Sequence, residues 1–500
     1  MNMPEHPVLQ YRWAVRDGNQ GKVLVYYGLR NPPRQHQAVL PVSDALAEVL
    51  ARLDGSAGLD GLPQAVRQGG EFRGLVEQGV VVDAPDRREP STAERKQTCT
   101  RCVADDHLLP GLEFDERGVC AFCQCYEQAA GAGAPAGPRN QVDDAELLAM
   151  AAGNTESRFD VMVLCTGGKD STYLLWYLAK KLGLRVLAAS WNMPYTNETC
   201  RRNLRRALEL LPQVELVERT LPWDDIRAAM RAQFGNVGVP CLCPVVAHAL
   251  FFPLAVEERI PMVMQGVEEV QLAVMSYVMR GLQTGQGRPA SAPPSAPPSA
   301  PPSMRAQTLQ FLELVANAPE PSDPFALTAE FLLYQRSIRR ILDPIYAPFD
   351  RMLQRARQDE SAFLPQLRRL RTNELYGTWA EVAALMHREM DWQAPPGQKG
   401  MLHTSCRIEK VKDYCQSMRF RNMRTTFFPQ SLVEVSAGVY FGLLSREQGL
   451  MELAELGCHG EPEVLAGLLG DLGMDETDRR THGETVYSLC DCAEGHCEGI

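Results

Sequence analysis

Four short apolar-rich runs, Phe159–Cys165, Arg185–Trp191, Val214–Glu218 and Pro261–Gln265, are separated by segments of helical period. Strands alternating with helices predict an α/β fold built on a doubly wound parallel sheet, placed in a domain over residues 140–287. Upstream, Gln10–Val15 and Lys22–Tyr27 alternate like hairpin strands, with Asp17-Gly18 as the turn. Ser43 is placed to cap a helix carrying Leu46, Val49, Leu50 and Leu53 on one face. A second short helix and a strand at Val80–Val82 complete a small α+β unit of winged-helix-like order over residues 1–90. A Gly/Ala/Pro linker spans Ala129–Pro138, and a Pro/Ala/Ser tract over 288–303 is read as an exposed tether. Residues 304–392 are helical by periodicity and belong to a catalytic remainder running to 460; a cysteine-containing tail fills 461–500.

The run Phe159–Cys165 is followed by Thr166-Gly167-Gly168-Lys169-Asp170-Ser171-Thr172 and then by a helix with Leu174, Leu175 and Leu178 on its apolar face. A strand, a glycine turn and a helix start present backbone N–H groups at the positive end of a helix dipole, which is a ready anion site. The two glycines let phosphate oxygens approach the main chain. The spacing differs from G-x-x-x-x-G-K-[ST]. An ordinary turn with Asp170 as the helix cap is the bland alternative.

Thr166-Gly167-Gly168-x-Asp170-Ser171 resembles the [ST]-G-G-x-D-S loop of the PP-loop ATP pyrophosphatases. The resemblance implies an adenine-nucleotide α-hydrolase-like sheet, ATP and Mg²⁺ as cofactors, and cleavage to AMP and pyrophosphate through an adenylated acceptor. It makes Thr166, Gly167, Gly168, Asp170, Ser171 and Thr172 candidate nucleotide contacts. Asp170, Ser171 and Lys169 are then the candidates for metal and phosphate chemistry.

Cys99-x-x-Cys102 and Cys120-x-x-Cys123 form two pairs with seventeen residues between them, inside a short module at 97–127. Four thiolates so spaced suit a tetrahedral Zn²⁺ site, which supplies folding energy to a segment too short for its own core. Cys125 is a spare thiol nearby. Cys99, Arg101, Cys102, Val103, Gly111, Phe114, Asp115, Gly118, Cys120 and Cys123 also match the signature that precedes the PP-loop in N-acetyl sugar amidotransferases, which this region resembles. The resemblance implies that an acetamido oxygen is activated by ATP and replaced by ammonia from a separate glutaminase. The N-terminal module, the proline tract and the tail depart from that family and put the sugar substrate in question. Residues 50–81 carry a pattern that resembles the peptide-binding domains of peptide-modifying enzymes.

Further candidates lie downstream. Gly266 and Glu268, with Glu269, follow the Pro261–Gln265 strand, where open α/β sheets bind ligands. His403 is a candidate general base and Lys410 a candidate phosphate contact, in a segment His403-Thr404-Ser405-Cys406 … Lys410-Val411-Lys412-Asp413. Cys241, Cys243 and Cys406, with Cys165, are the candidate sulfur-carrying thiols. Cys490, Cys492, His496 and Cys497 are candidates for a second metal.

Composition narrows the partners. The chain has 500 residues, enough for two or three domains, and is 45% hydrophobic and 23% charged, ordinary for a globular protein. Its formal charge of −11 disfavours nucleic acid, although Arg201, Arg202, Arg205 and Arg206 crowd one helix. No apolar run approaches the ~20 residues of a membrane span, and MNMPEHPVLQYRW lacks signal-peptide order, so a cytoplasmic enzyme without a membrane partner is expected. Fifteen cysteines there imply metal or chemistry rather than disulfides. The expected reaction is AMP-forming amidotransfer to a small-molecule or peptide acceptor. Thiolation through the same adenylate, or peptide modification in natural-product biosynthesis, are the alternatives.

Overall fold

The computed structural model describes residues 3–131, 141–237, 241–266, 303–316, 325, 329–370, 377–402, 404–458 and 460–474. The N-terminal unit pairs β1 (Pro7–Leu9) antiparallel with β5 (Val81–Asp83). Its three-stranded antiparallel sheet has the order β2 (Trp13–Gly18), β3 (Gly21–Tyr26), β4 (Val39–Pro41). Helices α1 (Asp44–Leu50), α2 (Gln64–Arg67) and α3 (Gly70–Glu77) follow β4. Trp13, Leu24, Tyr26, Leu46, Leu50, Phe72 and Leu75 close the core between them. The hairpin turn falls later than the Asp17-Gly18 reading. Asp17 pairs across with Lys22 and Gly18 with Gly21, so Asn19 and Gln20 make the turn. Ser43 does occupy the cap position of α1, but its hydroxyl donates to Glu71 at 2.6 Å instead of capping.

Arg12 ties this unit to the rest of the chain. It is buried, sits at φ +72, and donates to Tyr27 O at 2.5 Å, Phe420 O at 2.6 Å and Arg421 O at 2.6 Å. The last two carbonyls belong to the C-terminal turn of the helix Glu409–Arg421, where a cation is favourable. Burial lowers the Arg12 pKa to about 10, still fully charged at neutral pH. Arg12→Ala removes the guanidinium donors from these carbonyls and should cost about 3 kcal/mol, read as a lower urea midpoint at unchanged slope.

Residues 99–126 share one apolar cluster with Trp379, Phe420, Phe427, Phe428, Leu432 and Leu453. Helix α4 (Ala121–Gly131) starts within this module.

The central sheet comprises β6 (Gln141–Val142), β7 (Val161–Leu164), β8 (Val186–Trp191), β9 (Glu215–Arg219), β10 (Met262–Gln265) and β11 (Gln366–Leu370). Their order is β6-β11-β10-β7-β8-β9, and every neighbouring pair is parallel. Helices cover both faces, which explains why β7, and β8 apart from Ser190, are apolar instead of alternating. On one face Val161, Val163, Ala188 and Met264 pack with α5 (Asp144–Ala152), α6 (Lys169–Trp176) and α7 (Glu198–Leu210). On the other, Met162, Ala189, Val263 and Leu367 pack with α8 (Trp223–Val237), α9 (Cys243–Glu257) and the later helices Met304–Ala316, Asp343–Gln358 and Glu409–Arg421. The stretch expected to be helical, 304–392, thus contains the interior strand β11, and Gln141–Val142 adds an edge strand. Among the described residues no helix is long and apolar enough to cross a membrane.

Candidate functional site

The strand order reverses between β7 and β10: β8 and β9 extend one way from β7, β10 and β11 the other. Open α/β sheets bind ligands at the carboxyl ends of strands at such a point, and Thr166–Thr172 lies there. Gly167 has φ +77, and a Cβ on it would stand 2.0 Å from Cys200 O. Its carbonyl accepts from Trp392 Nε1 at 3.2 Å and from Asn203 Nδ2 at 3.4 Å. Gly168, not Asp170, is the cap residue of α6. Thr172 N donates the first intrahelical bond, to Gly168 O at 3.1 Å, so the helix end presents its leading N–H groups outward. Ser171 Oγ folds back, donating to Gly168 O and accepting from Thr166 N, both at 3.3 Å. Thr172 is buried, and its hydroxyl has no partner among the described residues.

The other candidates fall at varied distances from this turn. Gly266 presses against it: a Cβ there would lie 2.8 Å from Asp170 C and Ser171 N. Lys169 is buried, pairs with Asp170, and holds Nζ 5.5 Å from the Trp379 ring centroid. Lys410 pairs with Glu455 at 3.1 Å on a half-exposed surface. His403, Glu268, Glu269 and the tail cysteines Cys490, Cys492 and Cys497, with His496, lie outside the described residues.

Residues 404–407 are stitched beside the turn from far along the chain. Asn197 N donates to Ser405 O at 2.9 Å, Arg407 N to Tyr195 O at 2.9 Å, and Cys200 Sγ to Thr404 O at 2.8 Å. This sets Ser405 Oγ 3.1 Å from Thr166 Oγ1. Sequence reasoning had no access to Ser405, Asn203 or Trp392 as supports of the loop. Asn203 and Trp392 are single residues without a local motif, and Ser405 lies in the His403–Cys406 segment whose candidates were its neighbours His403 and Cys406.

Cys406 therefore stands one residue from the turn. Its N–H donates to Glu409 Oε2 at 3.3 Å, and Cys241, Cys243 and Cys406 all pack against the same apolar cluster. Burial, and then Glu409, push the Cys406 thiol well above its ordinary pKa. Hydrogen bonding to Cys241, with burial and the charges of Cys241 and Cys406, does the same to Cys243. Burial opposes the Lys412 charge, but Asp413, Glu409, Cys241 and Glu434 outweigh it and raise its pKa. Of the two lysines in this segment, Lys412 is the one beside the thiols. Cys165 is buried and donates to Val163 O at 3.2 Å. Because Glu409 raises the Cys406 pKa, Glu409→Gln should lower it. Each unit is about tenfold in thiolate, so iodoacetamide labelling of Cys406 at pH 8, mapped by peptide mass, should accelerate severalfold. An unchanged rate would mean that burial alone sets this thiol.

The four module thiols are a separate centre. Cys99, Cys102, Cys120 and Cys123 are buried, and their Sγ atoms all lie within 4.8 Å of one another. Cys99 and Cys123 are 3.9 Å apart, Cys102 and Cys120 3.7 Å. A tetrahedron with metal–sulfur bonds of about 2.3 Å has edges of about 3.8 Å, so the set fits a four-thiolate metal ion. Cys99 Sγ accepts from Arg101 N at 3.4 Å and Cys120 N at 3.3 Å, and Cys102 Sγ from Ala104 N at 3.4 Å. Such donors stabilise thiolate charge.

No family model matches this chain, and no curated protein matches it in sequence. Among solved structures it is similar to the U34-tRNA thiolase NcsA from Methanococcus maripaludis with its 4Fe-4S cluster, at 10% identity and a TM-score of 0.27, over 74% of this chain and 91% of that one.

Proposed function

We propose that this chain is an ATP-dependent, AMP-forming enzyme that adenylates an amide or carboxyl oxygen of its acceptor and then replaces that oxygen. The observation that carries the reading is the Thr166–Ser171 turn, capping α6 at the point of strand-order reversal. ATP docks with its phosphates over the leading N–H groups of α6. Asp170 is the acid we assign to hold the Mg²⁺ that would accompany it. The acceptor oxygen attacks the α-phosphorus and pyrophosphate leaves, its charge stabilised by the helix end. The incoming atom then attacks the activated carbon, and AMP departs with the acceptor's oxygen. An acceptor labelled with ¹⁸O at that position should therefore give labelled AMP and unlabelled pyrophosphate. Release of ADP and phosphate would refute the reading.

Sulfur is the incoming atom we favour, and it requires that Lys412, which lowers the Cys406 pKa, together with the bound substrates offset the burial and the Glu409 charge that hold this thiol protonated. Cys241, Cys243 and Cys406 are mutual neighbours, Cys406 follows the Ser405 that meets Thr166, and Lys412 would supply a positive charge to hold a sulfur anion there. The nitrogen reading rests on the Cys99–Cys123 signature, needs no thiol, and takes ammonia from a glutaminase partner. Cys406→Ser separates the two by product mass. In thiolation an external persulfide donor loads Cys406, the outer sulfur attacks the activated carbon as AMP leaves, and Cys241 or Cys243 frees the product by forming a disulfide with Cys406 that an external thiol reductant reopens. Cys406→Ser loses that product while adenylation of the acceptor persists, whereas amidation is unaffected. The acceptor is a small molecule or a peptide. Zinc is the assignment for the Cys99, Cys102, Cys120 and Cys123 site, which is closed, buried and therefore structural.

A further inference from the structure

Strand β11 carries two consecutive arginines inside a parallel sheet. Alternation sends them to opposite faces. Leu370 packs on the α5–α6 face, and Arg368 follows it there, pairing with Glu146 of α5. Leu367 packs on the opposite face, with α9 and the helix Glu409–Arg421, and Arg369 follows it. Among the described residues no carboxylate or carbonyl bonds to its guanidinium, and its Nε is buried without an acceptor. Burial lowers its pKa to about 10, and no neighbouring charge counters that.

Its position is what gives this meaning. Arg368 is level with Met264, so Arg369 is level with Gln265, which is itself level with Leu164 at the end of β7. Arg369 thus stands at the carboxyl edge of the sheet, one residue below the level of Gly266. It is on the face against which Cys241, Cys243 and Cys406 pack. Arg369 is partly buried with its Nε wholly buried and unpartnered; a ligand would complete such a group, since its planar fork matches a planar or tetrahedral oxyanion. The nucleotide is a poor candidate for that ligand. Helix α6, which receives the phosphates, packs on the other face, and two strand spacings place β11 about 10 Å from β7.

We propose that Arg369 anchors an oxyanion of the acceptor, a carboxylate or phosphate group remote from the oxygen that is adenylated. The acceptor is then an anionic molecule held by its charged end, with its reacting oxygen directed toward the turn and the thiols. This rests on the adenylation reading of the same edge.

The test is binding, so that it does not depend on turnover. The full chain is first saturated with Mg²⁺ and the non-hydrolysable ATP analogue AMPCPP; failure of wild type to bind that analogue would count against the adenylation reading itself. Malonate and inorganic phosphate are then titrated calorimetrically. Wild type should bind at least one, and the tighter of the two names the anionic group. Arg369→Met should weaken that binding by about tenfold or more, leave AMPCPP affinity within twofold, and raise the melting temperature of the ligand-free protein, because a partly buried, unpaired charge has been removed. Arg369→Lys should retain part of the oxyanion binding. Oxyanion binding by Arg369→Met equal to that of wild type overturns the proposal. An equal loss of AMPCPP affinity overturns it in favour of a nucleotide contact, and a lowered melting temperature in favour of a structural arginine.

Discussion

Gly167→Ala will lower affinity for a Mg²⁺-bound ATP analogue, and AMP release on the true acceptor, by at least about a hundredfold. Alanine there meets two obstacles. The backbone stands at φ +77, which costs about 1–2 kcal/mol for a residue with a Cβ. The Cβ would also lie 2.0 Å from Cys200 O, which the body of α7 holds in place. The turn must therefore move by more than an ångström, and misplacement of that size costs about a hundredfold in a positioned reaction. Gly183→Ala is the control. Gly183 has φ +69 but nothing within 4 Å of a Cβ, so it carries the backbone strain alone. It should lose a little stability and no nucleotide affinity. Equal behaviour of the two variants would show that the Gly167 turn is not the phosphate cradle.

What was legible in the sequence follows from how far each signal reaches along the chain. Phe159–Cys165 and its Gly-Gly turn were legible because a strand buried on both faces is apolar at every position, and a tight turn that passes through positive φ needs glycine at a fixed offset. Strand β11 was not legible. Gln366-Leu367-Arg368-Arg369-Leu370 has the charge of a surface segment, and only tertiary structure supplies Glu146 to one arginine and places the other at the carboxyl edge of the sheet. The thiols illustrate the same limit. No cysteine pair adjoins the turn in sequence, so amidation was the favoured expectation, yet the pairing of Thr196 with Cys406 brings Cys406 across more than two hundred residues to the turn. The lysines were separated by helix phase. Val411, Tyr414 and Cys415 turn inward, which carries Lys412 to the thiols and leaves Lys410 to Glu455.

Removing the metal from the four-thiol site will cost the protein about 5 kcal/mol or more, out of the about 10–16 kcal/mol that structural zinc contributes in small thiolate modules. The effect will not stay local. The thiols sit in the apolar cluster that also holds Trp379, Phe428 and Leu432, and Arg446 donates to Cys102 O at 2.5 Å and Cys99 O at 3.1 Å. Trp379 lies in turn beside the ammonium of Lys169 at the start of α6. Without the cation, four buried thiols within 4.8 Å of one another cannot all ionise, so the module loses the bonds that substitute for a core. Purified protein should contain one zinc per chain. Cys99→Ser, or exhaustive chelation, should lower the melting temperature sharply and weaken binding of the ATP analogue as a consequence. Arg446→Met, which spares the ligands, should lower it only slightly. A metal-free chain that melts where the loaded chain does would overturn the assignment, because a closed site of this kind has no other reason to gather four cysteines.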